Sequence, residues 1–375
     1  MPNRRDFFKT VAGASAGVFA MGRGLVDAGL LAPQGRGQQP SAPASPVKRK
    51  EVLVGGRRVK VIDVHAHCTM PEVAEVVKNT PLARNAGGGG GGGGGVLGPD
   101  RLRAMDERGI DVQALSINGF WWYAAERELA RQIVKVHDEG LAAWCTAHSG
   151  RFVALTSPAL QHPDLAAEQL EHAVKQLGFR GASIGGHVEG ESLSSPKFDP
   201  FWAKAQELGV VVFMHPGGAE NVIRDGGFAD RGDLGNIIGN PLETTVFFSR
   251  LIFDGTLDRF PGLKICGAHA GGYLPSYLAR TDVACDVRGN AKCANKKHPR
   301  EYFKQQLMID SMIFTEEGLR HLVAEVGVGQ IVYGTDIPFN WPDTVDIIVR
   351  APFLKDAEKE AILGGTLIKL LKIPA

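Results

Sequence analysis

The sequence predicts an α/β protein, a (β/α)8 TIM barrel, on three observations. Eight short apolar runs alternate with stretches whose apolar residues recur at spacings of three and four, the pattern of parallel strands buried on both faces and separated by helices. Four of the runs end on a metal-ligating type of residue: 59–64 on His65-Ala66-His67, 210–214 on His215, 264–268 on His269 and 331–335 on Asp336. The ends of successive parallel strands converge on one face of such a barrel, where these enzymes keep their chemistry. Length agrees, since a barrel of about 250 residues with insertions fits within 375.

Taken in order, residues 59–67 predict strand one, and 100–108 a helix leading to strand two at 112–117. A long helix over 124–148 precedes strand three at 152–158, and a helix over 165–177 precedes strand four at 181–185. Helix 201–208 leads to strand five at 210–215, and helix 242–257 to strand six at 264–269. Strand seven covers 306–312, helix 317–326 follows, and strand eight is 331–336.

The N-terminus stands outside this pattern. Residues 1–28 resemble a twin-arginine export signal: Arg4-Arg5-Asp6-Phe7-Phe8-Lys9 precedes a moderately apolar stretch, and Val26-Asp27-Ala28 is an acceptable cleavage site. Export by that machinery to the periplasm is the expectation; the alternative is a plain basic N-terminus. Residues 29–56, rich in Pro, Gln, Ser and Gly over much of their length, are expected to form a flexible linker, leaving 57–375 for the barrel. The net charge is +1, and loss of the first 28 residues removes four basic and two acidic side chains, bringing it to −1. Such a balance points away from nucleic acid and towards a small-molecule partner. The five cysteines show no metal-binding spacing. Whether Cys285 and Cys293 pair is left open, Cys145 and Cys266 read as core, and Cys68 as a packed neighbour of the histidine pair.

Each candidate ligand has a plainer reading. His65-x-His67 alone is a modest signal, although alternation along a strand puts both rings on one side. His215 and His269, each before a Gly-Gly turn, read equally as turn residues, and Asp336 as a helix cap. Four such residues at four strand ends are a different matter, because three imidazoles and a carboxylate suit a divalent ion such as zinc, with one histidine left for proton transfer.

The motifs Asp63-Val64-His65-Ala66-His67, His215-Pro216, Arg259-Phe260-Pro261-Gly262-Leu263-Lys264, His269-Ala270-Gly271-Gly272 and Gly334-Thr335-Asp336-Ile337-Pro338-Phe339 resemble the amidohydrolase superfamily. More narrowly the chain is similar to the branch of aminocarboxymuconate-semialdehyde decarboxylase; Gln113-Ala114-Leu115-Ser116, Ile184-Gly185-Gly186-His187-Val188 and Asn240-Pro241-Leu242-Glu243-Thr244-Thr245 carry that match. The resemblance implies a metal-dependent hydrolase type of barrel. His65, His67, His215 and Asp336 would hold one zinc ion and a water, manganese being the other candidate. His269, with Asp336, would be catalytic, and His269 would move the proton. Arg280 would reach into a neighbouring subunit to hold a substrate carboxylate, which implies a homodimer. Gly185-Gly186-His187 stands where dinuclear relatives carry a bridging lysine, so one metal is expected and His187 would line the pocket.

The resemblance has gaps. An arginine is expected after strand one, where this chain carries nine glycines, Gly87 to Gly95, with Arg84 before them. Gly217-Gly218 replaces an expected tryptophan, and Gly365-Thr366 an expected glycine-asparagine pair. Trp121 and Trp122 could stack on a planar substrate or simply pack. The expected activity is a metal-dependent carboxy-lyase, a non-oxidative decarboxylase of a carboxylated aromatic or unsaturated acid. The alternative is hydrolysis of an ester, lactone or amide at the same metal, separable by whether carbon dioxide is released. A third reading, a barrel that binds but does not catalyse, is opposed by the complete ligand set.

Overall fold

The computed structural model describes residues 48–85, 95–117, 121–219, 221–223, 227–228 and 231–374. The expected signal, the linker up to residue 47 and most of the glycine run lie outside these. The ordered part begins earlier than the expected boundary at residue 57. Leu53–Val54 and Arg57–Arg58 form a small hairpin, and Val52 and Val54 are buried. Two apolar side chains are enough to dock this otherwise polar segment, and Arg49 adds an ion pair to Asp111 at 2.5 Å.

The eight barrel strands are β1 Ile62–Cys68, β2 Val112–Ile117, β3 Phe152–Ala154, β4 Gly181–Ile184, β5 Val211–Met214, β6 Lys264–Gly267, β7 Leu307–Asp310 and β8 Ile331–Val332. The main helices are α1 Pro99–Arg108, α2 Arg127–Ala147, α3 Pro163–Gln176, α4 Asp199–Leu208, α5 Asn240–Phe253, α6 Leu274–Val287, α7 Pro299–Gln305 and α8 Glu316–Val326. Every barrel pairing is parallel: β1-β2-β3 forms one arc and β4-β5-β6-β7-β8 the other. Two seams close the ring. Thr156 bridges to Ala182, and Ala66 to Ile337, where the Asp336 N–H donates to the His65 carbonyl at 2.8 Å. β3 to β8 end before their apolar runs do, the run continuing past the last ladder pair into the following loop, whereas β2 matches its run and β1 starts later and holds His65 and His67 within the strand.

Side-chain alternation aims those residues. Ile62, Val64, Val112, Ala114, Val211, Phe213, Cys266, Met308 and Val332 share one cluster inside the ring, plugged from below by Leu367, Leu371 and Ile373. Each such buried side chain contributes roughly 1.5–3 kcal/mol, so the interior is a packed core rather than a pore. Their alternate neighbours, such as Leu115, Val212, Met214, Ile265, Leu307 and Ile309, pack outward against the helices. Counting on by twos turns Ser116, His215, Asp310 and Asp336 inward at the top of the barrel. β1 obeys the count only through a register shift between Asp63 and Ala66. That one-residue slip reverses the sides: Ile62 and Val64 face in below it, and Ala66 and Cys68 face out above it. His65 and His67 therefore face the barrel mouth, a use of bulges common next to active sites.

Candidate active site

The strand-end residues meet. His65, His67, His215 and Asp336 are all buried, and His269 is about one-seventh exposed, with a side-chain accessibility of 15%. His65 Nε2 lies 3.0 Å from His67 Nε2, and both lie 3.1 Å from Asp336 Oδ1. His65, His215, His269 and Asp336 each offer a ligand atom within 4.8 Å of the others. The His215 ring is stacked edge-on to that of His67, with centroids 4.4 Å apart.

The donor set fits a metal ion. Nitrogen and oxygen atoms 3.0–3.1 Å apart match ligands that each lie about 2.0–2.2 Å from one ion. Among the described residues, ring atom Nδ1 of His215 is buried without a hydrogen-bond partner, an arrangement that costs stability unless something else engages it. The protonation pattern agrees. Burial, helped by the His65 charge, holds His67 down to about 4, and burial with the neighbouring rings holds His215 well below the usual imidazole range. At His65 burial works downward too, but Asp336 and Asp310 outweigh it and push it up to about 10. Burial works upward on Asp336, yet the His65 charge and the close His269 and His67 rings hold it well below the carboxylate range. A cation bound here would take the place of the His65 proton, with neutral imidazoles as its ligands.

Residues that the sequence reading did not single out orient this cluster. Asp310, at the top of β7, accepts from His65 Nδ1 at 2.7 Å and from the backbone N–H groups of His269, Ala270 and Met312 at 2.7–3.1 Å. It thereby directs His65 Nε2 at the centre, as partners of ligating histidines do. Asp63 accepts from the His65 N–H, the Thr335 N–H and hydroxyl, and Gln113 Nε2, joining three strands under the site. Its carboxyl is raised by burial against the pull of those bonds. Asp310 ends an apolar run just as His215 and Asp336 do, so the same strand-end signal could have found it. His269, Ala270 and Asp336 take positive φ of 54°, 56° and 61°, a backbone strain found where geometry at a functional site demands it.

The other expected residues are placed as follows. His187 sits in the hairpin His187–Val188/Glu191–Ser192 beyond β4, its Nδ1 accepting from the Gly190 N–H. Trp121 and Trp122 are buried; Trp121 lies against Gly185 at the end of β4, and the Trp122 carbonyl accepts from Gln161. Arg280 is exposed on α6, outside the metal-ligand cluster of its own chain. Cys68 donates to the Ser116 carbonyl and takes no place among the ligands. Cys285 and Cys293 form a disulfide.

The Amidohydrolase family model matches residues 62–373. The chain belongs to the amidohydrolase family. This amidohydrolase is 30% identical over 282 residues to the 2-amino-3-carboxymuconate-6-semialdehyde decarboxylase of Dictyostelium discoideum, covering 73% of this chain and 76% of that one. It is 30% identical over 284 residues to a gamma-resorcylate decarboxylase of a Rhizobium species, covering 73% and 86%. Among solved structures, the dihydroxybenzoic acid decarboxylase of a Polaromonas species, with bound manganese and the inhibitor 2-nitroresorcinol, superposes with a TM-score of 0.71 at 25% identity, over 84% of this chain and 97% of that one. The relatives are decarboxylases, which places this amidohydrolase among the carbon-carbon lyases of its superfamily.

Proposed function

We propose that this amidohydrolase removes carbon dioxide, without oxidation, from a small aromatic or unsaturated carboxylic acid at a single divalent ion, zinc or manganese. The observation that carries the reading is the convergence of His65, His67, His215 and Asp336, with His269 beside Asp336 at 3.8 Å between Nε2 and Oδ2. Those four residues would hold the ion, which when bound supplies a Lewis acid for the anionic substrate. His269, the one member of the cluster open to solvent at 15%, would give a proton to the ring or alkene carbon that bears the carboxylate. The carbon–carbon bond then breaks, its electron pair stays with that carbon, and the carboxylate departs as carbon dioxide. Release of carbon dioxide by the metal-loaded protein from a panel of hydroxybenzoates and dienoic acids tests this. His269→Ala is expected to keep its metal and lose about 10²–10⁴-fold in rate, the usual contribution of a general acid. Ester or lactone cleavage without carbon dioxide release would replace the reading by the hydrolase one.

The same proposal includes a periplasmic homodimer. Export is supported by Arg4-Arg5 and the apolar stretch after it, and by the Cys285–Cys293 disulfide, a bond favoured in oxidising compartments; cell fractionation reads it. The dimer is supported by α6, where Tyr277, Arg280, Val283 and Val287 recur at spacings of three and four on an exposed face, an apolar stripe of the kind that helices cover.

A further inference from the structure

Glu243, in the first turn of α5, is buried, and its hydrogen bonds come from the backbone of two different loops. Oε1 accepts from the Gly186 N–H at 3.0 Å. Oε2 accepts from three successive N–H groups, those of Gly217, Gly218 and Ala219, at 2.9, 2.9 and 2.8 Å. The first loop leaves β4 and leads into His187; the second leaves β5 directly after His215-Pro216. Among the described residues no lysine or arginine forms an ion pair with Glu243. Close approach is part of the arrangement: a Cβ on Gly186 would lie 2.6 Å from Glu243 Oε1 and 2.6 Å from Met214 Cε. Ala219 adopts a φ of 61° and Gly218 one of 121°, so the chain after His215 is wound around the carboxylate in a conformation it would not adopt unaided.

Resting on the metal-site reading above, we propose that Glu243 is a positioning residue, a carboxylate that pins the β4 and β5 loops to each other and so fixes His215 on the metal and His187 at the pocket wall. Hydrogen bonds from backbone N–H groups to a carboxylate are of the strong, charge-assisted kind, and four on one buried group make the two loops a single unit. Glutamine cannot reproduce it. Whichever way its amide is turned, one side presents NH2 instead of oxygen, to Gly186 or to the three N–H groups of 217–219. Aspartate keeps both oxygens on a shorter stem.

The test compares metal affinity, by chelator competition with zinc and with manganese, in the full-length chain and three variants. Glu243→Gln is expected to lose about 10–100-fold, the usual cost of removing an orienting partner, and Glu243→Asp to recover part of it. Asp258→Asn is the control, because Asp258, in the short helix Thr256–Arg259 that leads into the start of β6, accepts from the Tyr302 hydroxyl at 2.6 Å and the Lys296 N–H at 2.8 Å at the opposite end of the barrel. It is expected to lower the melting temperature of the metal-free protein without changing metal affinity. Wild-type affinity in Glu243→Gln, or equal losses in Glu243→Gln and Asp258→Asn, would overturn the proposal. A wild-type chain that takes up neither metal would instead overturn the site reading beneath it.

Discussion

At the scale of single residues, the cluster depends on which nitrogen each histidine presents. Asp310 takes Nδ1 of His65 and Ser116 Oγ stands 3.4 Å from Nδ1 of His67, so both rings aim Nε2 at Asp336. Asp310→Asn keeps the shape of the side chain but weakens its hold on His65, and about 10–100-fold loss of metal affinity is expected. Metal analysis after dialysis against a chelator series checks this; unchanged affinity would show that Asp310 only ties the β7 and β6 ends together. The residue types were legible in the sequence, because His65, His67, His215, His269 and Asp336 end apolar runs. Asp310 shares that strand-end signal, but the supporting role of Asp63 was not legible, since a buried acid is recognised by its partners and one of these, Thr335, lies hundreds of positions away.

At the scale of elements, the eight strands and six of the main helices followed from periodicity with ends shifted by a few residues, whereas α6 and α7, between β6 and β7, were not read from the sequence. One local feature that periodicity conceals is the slip within β1. Strict alternation would place His65 and His67 on the side of Val59 and Val61, which pack outward; the register shift between Asp63 and Ala66 brings them in. Helix α2 carries a second concealed feature. Asp138 is buried, held only by the Thr156 hydroxyl at 2.7 Å among the described residues, and burial pushes it up to about 7. An acid raised in the folded state opposes folding once it must ionise. Its effect is absent below the unfolded value near 3.9, grows as pH rises to about 7, and is constant above. Asp138→Asn should therefore gain stability over wild type across that window, by on the order of 2–4 kcal/mol. Denaturant unfolding of both metal-free proteins at about pH 5 and about pH 8 reads the difference, and a gap that does not widen with pH would refute it.

At the scale of the whole molecule, the ring is closed by β1 and β8, the strands farthest apart in the chain, and the C-terminal residues Leu367, Leu371 and Ile373 seal its floor. Within one chain Arg280 lies on the outer face of α6, so its expected hold on a substrate carboxylate needs a partner subunit. If α6 pairs two copies, His269→Ala and Arg280→Ala protomers, each inactive alone, should complement on mixing and re-association. Random assortment puts one intact site in each mixed dimer and returns about a quarter of wild-type activity. No recovery in a mixture shown by sedimentation to be dimeric would remove Arg280 from the site.

The amino-acid sequence by itself determined the barrel, its strand order and the chemical identity of the central cluster. Those rest on local properties: apolar period, chain length and the residue type at each strand end. Tertiary structure decided what depends on neighbours distant in sequence. It aimed the β1 histidines through a one-residue slip and set Asp310 behind His65. It wound the loop after His215 around Glu243, docked residues 48–58 to the barrel and joined Cys285 to Cys293. The physical reason is common to all of these. A hydrogen bond, a register or a disulfide is a relation between two segments, and a linear pattern records only one of them at a time.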